Sequence, residues 1–101
     1  MKLIIINELS AGGAAKHPVP ADAIKWEQAD GMKFQHVQFQ RPIELRTETT
    51  AVQTYGAGTV LIRRLYKKRQ EIAICSQRAF VAAYPKIELV PFSLLGSGNQ
   101  K

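Results

Sequence analysis

A chain of 101 residues, 46% of them apolar and only one a cysteine, has room for one globular domain and none for an internal disulfide framework. Fourteen Lys and Arg face eight Asp and Glu, for a net charge of +6. One cysteine and two histidines cannot form a clustered Cys zinc site, and this arithmetic argues against most enzyme classes.

The chain opens with Leu3-Ile4-Ile5-Ile6, a β-branched run that predicts a short buried strand over residues 2–8. The run stops at Asn7 and Glu8, short of the about 7–15 apolar residues of a secretory signal. No window reaches the roughly 18 apolar residues of a membrane span. The expectation is a cytoplasmic, reduced protein without a membrane partner. Residues 10–21 contain Gly12, Gly13, Pro18 and Pro20 and read as loop. The stretch Ala11–Lys16 lacks the second glycine and the following Ser or Thr of a phosphate loop. Residues 22–29 are compatible with one or two helical turns, with Asp22 near the start.

Asp30-Gly31 is a turn signal, and the clearest strand follows over residues 32–40, continuing past Pro42 to about residue 47. Val37, Phe39, Ile43 and Leu45 share one parity; Gln38, Gln40, Glu44 and Arg46 share the polar one. Phe34 has the polar parity, so it is either an exposed aromatic or returned to the core by a bulge. Residues 52–55 form a brief strand, Gly56-Ala57-Gly58 a turn, and residues 59–67 and 71–76 a hairpin with its tip at 67–70. Residues 77–84 read as a short helix capped by Ser76 or as an extension of the strand. A last strand is predicted over 86–95, and 96–101 as a disordered tail, leaving residues 1–95 as the β-rich domain. Many short strands with at most one or two short helices predict a mostly β fold. The expected form is a small barrel or rolled sheet, OB-like. The expected core contains Leu3, Ile5, Val37, Phe39, Ile43, Leu45, Ile62, Ile72, Ile74, Ile87 and Leu89.

Charge is the most informative feature. Residues 1–50 are neutral overall, and residues 51–101 hold eight Lys and Arg against two acids. Five of those eight lie in Arg63-Arg64-Leu65-Tyr66-Lys67-Lys68-Arg69. Cations that track phosphates beside rings that stack on bases are what a single nucleic-acid strand requires. Tyr66 inside the block, Tyr55 before it and Phe34 supply rings; Gln35, Gln38 and Gln40 supply neutral hydrogen-bonding groups. The plain alternative is a solvated hairpin tip that keeps a sheet edge soluble.

Asp30-Gly31-Met32-Lys33-Phe34-Gln35-His36-Val37-Gln38-Phe39 resembles the turn and second strand of single-stranded-DNA-binding OB folds. The overall plan resembles the small single-stranded-DNA-binding proteins of filamentous phages, with a basic hairpin and a final strand like Lys86-Ile87-Glu88-Leu89-Val90-Pro91. The resemblance implies cooperative, sequence-tolerant coating of single strands by a homodimer. It makes Phe34 a stacking residue and places Arg63, Arg64, Tyr66, Lys67, Lys68 and Arg69 on the strand. The rival is a non-catalytic adaptor that binds a protein partner, or a second copy of itself, through strand edges.

No catalytic, cofactor or metal site is expected. A nucleophile needs a base and an orienting group. Cys75 lies among Ile72, Ala73 and Ile74 and reads as a small core residue, while His36 reads as a surface or partly buried strand residue. Nothing places Asp22 with Glu27, or Glu44 with Glu48, in an apolar cleft.

Overall fold

The computed structural model describes residues 4–9, 16–48 and 51–94. Among the described residues, eight strands form two four-stranded sheets. The first has the order β2–β1–β4–β5, from β1 (Ile4–Leu9), β2 (Lys16–Pro20), β4 (Ile43–Thr47) and β5 (Gln53–Tyr55), all antiparallel. The second has the order β7–β6–β3–β8, from β3 (Gln35–Phe39), β6 (Val60–Leu65), β7 (Gln70–Cys75) and β8 (Pro91–Phe92). The fold is thus mostly β, and the strand pairings among the described residues close no barrel.

The break at residues 40–42 carries the chain from one sheet to the other, because Pro42 cannot continue a ladder that needs its N–H. Val37 and Phe39 on β3 and Ile43 on β4 still face a common core, which Ile4, Ile6 and Leu61 complete between the sheets. Ile6, Phe39, Ile43 and Leu61 are fully buried, each contributing about 1.5–3 kcal/mol relative to exposure. Ser93 Oγ donates to the buried Glu8 carboxyl at 2.9 Å and fastens the end of the described chain to β1.

A helix forms the third layer. Ser76 caps α1 (Gln77–Ala83), its Oγ accepting from the Ala79 amide at 3.1 Å, so the helix reading of this segment holds over the strand extension. Phe80, Phe34, Val60 and Ile62 build a second core between α1 and the back of the second sheet. Gln38 Nε2 donates to Gly58 O and Gln77 Oε1, tying β3 to this layer. Gly58 sits at φ +88°, a backbone conformation that a side chain would strain, and its N–H donates to Phe39 O.

Several sequence expectations change. Ile4 and Ile6, not Ile5, point inward: a run of four apolar residues carries no parity, and the pairing with β4 decides it. Leu3 lies outside the described residues, as do residues 11–15 of the loop and the 96–101 tail. Residues 16–20 form an edge strand despite Pro18 and Pro20, which an edge tolerates because one side needs no donors. The expected helix over 22–29 is a single 3-10 turn, Ala21–Ala23, followed by extended chain in which Glu27 pairs with His36. Ile24 and Trp26 then both pack on the core at period two. The strand over 32–40 starts only at Gln35. The expected strand over 86–95 shrinks to Pro91–Phe92, parallel to β3 and reached through α1; Ile87 and Leu89 pack on the helix layer instead.

Candidate nucleic-acid interface

The β6–β7 hairpin carries the basic block. Tyr66 N donates to Arg69 O at 2.8 Å, closing a tip that holds Lys67 and Lys68 in solvent. Leu65 and Tyr66 are 59% and 46% exposed, high for apolar side chains on a strand end. The Arg69 guanidinium lies 4.3 Å from the Tyr66 ring centroid and 3.5 Å from Glu71. One cation therefore holds the ring against the tip, and the exposure of the ring leaves area for a further planar group.

Strand alternation splits the two arginines. Arg63 shares the face of Leu61 and is buried: its Nε and Nη2 donate to Gln35 Oε1 at 2.9 and 2.7 Å, and Nη1 to Asp22 at 3.1 Å. Its guanidinium lies 4.8 Å from the Trp26 ring centroid, and Trp26 Nε1 donates to Ala21 O. Arg64 takes the opposite face and lies 5.8 Å from the Phe34 ring. Phe34 is 6% exposed and packs on Tyr84 with a centroid separation of 5.0 Å. It belongs to the helix-side core: α1 covers the face of its parity, so Phe34 is neither an exposed aromatic nor carried by a bulge into the core of Val37 and Phe39.

Gln28, Lys33, Phe34, Gln35, Arg63 and Leu65 line a shallow depression of about 210 Å³ at the base of the hairpin. The fold thus brings Phe34, Gln35 and the basic block to one end of the second sheet. Asp22 is engaged with Arg63 and Glu71 with Arg69, and these are the two ion pairs among the described residues. Lys33, Arg64, Lys67 and Lys68 remain without an acidic partner there. Sequence reasoning missed Lys33 and Trp26; the nearest signal was the Asp30-Gly31 turn that brings Lys33 back toward the hairpin. Tyr55 lies on β5 in the other sheet, packed on the inter-sheet core. Gln38 is buried beneath α1.

Two chemistry-bearing side chains, Cys75 and His36, lie on the second sheet away from the tip. Cys75 is half-buried, and burial pushes its thiol up, away from the thiolate. His36 is 3% exposed, 5.4 Å from the Phe80 ring, and neither ring nitrogen has a partner among the described residues. Burial lowers its pKa, and the Glu27 carboxylate opposes this only in part. Below pH about 6.5 the unfolded chain therefore takes up a proton that folded His36 refuses. Stability is fully present above that pH and declines as pH falls toward the folded-state value. Urea midpoints at pH 7.5 and 5.5 should fall with acid in the wild type and fall less in His36→Gln. Equal slopes in the two proteins would exclude His36 as the source.

No group of three or more His, Cys, Asp and Glu residues is placed to hold a metal ion among the described residues. No helix among them is long and apolar enough to cross a membrane. No protein-family model, curated protein or solved structure matches the chain.

Proposed function

We propose that the hairpin tip binds single-stranded nucleic acid, DNA or RNA, with little sequence preference. The observation that supports this reading is the pairing of unneutralised Lys67 and Lys68 with an exposed, cation-backed Tyr66 on one turn. Phosphates would follow Lys67, Lys68, Arg64 and Lys33, while a base stacks on Tyr66. Phe34 then serves as the floor beneath Arg64, and Arg63 as the brace that fixes the base of the hairpin. A duplex offers the same phosphates but no free base faces, so it should bind more weakly.

Fluorescence anisotropy with a labelled oligonucleotide at several salt concentrations tests the proposal. Each phosphate contact on a single strand contributes about 0.7 to the slope of log affinity against log salt. The double variant Lys67→Ala, Lys68→Ala should weaken binding and flatten that slope by about 1.4. Tyr66→Ala should cost about 1–3 kcal/mol and leave the slope unchanged. Equal affinity for single strands and duplex, with both variants silent, would defeat the reading in favour of a solvated tip.

A further inference from the structure

Among the described residues, the second sheet ends at β7 in an open strand edge. Among the described residues β7 pairs with β6 alone. The bond from Tyr66 N to Arg69 O marks those two residues as a hydrogen-bonded pair. Antiparallel alternation then makes Arg64–Glu71, Ile62–Ala73 and Val60–Cys75 the pairs that exchange bonds. Glu71, Ala73 and Cys75 direct their backbone groups to β6. Gln70, Ile72 and Ile74 direct theirs outward, where no strand among the described residues receives them.

The other edges are blunted. β2 carries Pro18 and Pro20, β5 has three residues, and β8 has two, beginning with Pro91. β7 has six residues, no proline or lysine, and Glu71 as its one charge. Native sheets seldom leave such an edge free. Ile72 and Ile74 are only half-buried at the margin of the inter-sheet core, which a neighbouring strand would extend.

We infer that β7 pairs antiparallel with β7 of a second copy, about a two-fold axis at Ala73. Ile72 then lies opposite the partner's Ile74, so each outward isoleucine meets another and four backbone hydrogen bonds form. Charge selects this partner and direction. Glu71 falls opposite the partner's Cys75, and the two Glu71 carboxylates stay about 14 Å apart along the joint. The two basic tips diverge to opposite ends, about 37 Å apart at 3.4 Å per residue. That is several Debye lengths at physiological salt, so the tips do not repel, whereas a parallel joint would set them side by side. The product is a continuous eight-stranded sheet with a basic hairpin at each end. The inference does not use the nucleic-acid reading, and its test contains no oligonucleotide.

Light scattering at about 100 µM should give twice the chain mass of 11.3 kDa. Ile72→Pro removes an outward N–H that β6 does not use, and should return the monomer mass with the far-UV spectrum retained. A monomeric wild type, or a dimer that a folded Ile72→Pro variant leaves intact, overturns the inference. If Ile72→Pro unfolds, cross-linking decides. Ala73 faces the partner's Ala73 as a non-hydrogen-bonded pair, about 4.5 Å between Cα atoms and within disulfide reach. Ala73→Cys in a Cys75→Ser background should then oxidise to a covalent dimer, and Val81→Cys on the exposed face of α1 should not. Failure of Ala73→Cys to cross-link overturns the joint.

Discussion

Phe80→Ala is expected to lower stability by about 3–5 kcal/mol, the range for truncating a buried ring. Phe80 is the one buried residue of α1, 1% exposed. It contacts the rings of His36 and Tyr84 at centroid separations of 5.4 and 5.1 Å. A helix of seven residues is marginal in water, and the Ser76 cap contributes only about 1 kcal/mol. The ring therefore anchors the whole third layer. Its removal also hydrates His36, so the acid-dependent loss of stability should shrink in the same variant. Urea unfolding at two pH values measures both effects. A loss below about 1 kcal/mol, or an unchanged acid slope, would show that α1 is held by something other than Phe80.

The second large effect lies at the base of the hairpin. Arg63→Ala should destabilise the fold by about 2–3 kcal/mol, while Lys67→Ala and Lys68→Ala, four and five residues on, should change stability by less than about 0.5 kcal/mol. The ion pair with Asp22 is a small part of this, because the Asp22 side chain is 63% exposed and water screens it. The larger parts are the Gln35 amide oxygen, which loses two donors, and the Trp26 ring, which loses its cation. Arg63→Lys should recover little, since an ammonium cannot place two forked donors on one oxygen while lying flat on an indole. The reverse pattern is expected for oligonucleotide affinity per folded molecule: little change for Arg63→Ala and a clear loss for the lysine pair. Affinity lost in Arg63→Ala at constant folded fraction would return Arg63 to the binding surface.

Local chemistry by itself determined the β6–β7 hairpin, the Asp30-Gly31 turn and the concentration of charge on one tip, and it offered the Ser76 cap as one of two readings. Each depends on residues within a few positions of one another: alternation at period two, a hydroxyl at an N-cap, a glycine at positive φ. Those signals act through the backbone and need no distant partner. Period two also required that Arg63 and Arg64 face opposite ways.

Tertiary structure decided which way. Trp26, Asp22 and Gln35 reach Arg63 from 28 to 41 residues away, and only the sheet pairing brings them there. The same holds for His36 and Gln38, polar on the strand pattern yet buried, because a strand with a sheet on one side and a helix on the other has no solvent face. The inward parity of Ile4 and Ile6 was set by the ladder with β4, since an unbroken apolar run fits either register. Pro18 and Pro20 are read locally as strand breakers, and their place at a sheet edge removes the penalty that makes them so. Whether a residue lies at an edge, in a core or on a binding tip depends on what packs against it, and that is a property of the assembled sheets.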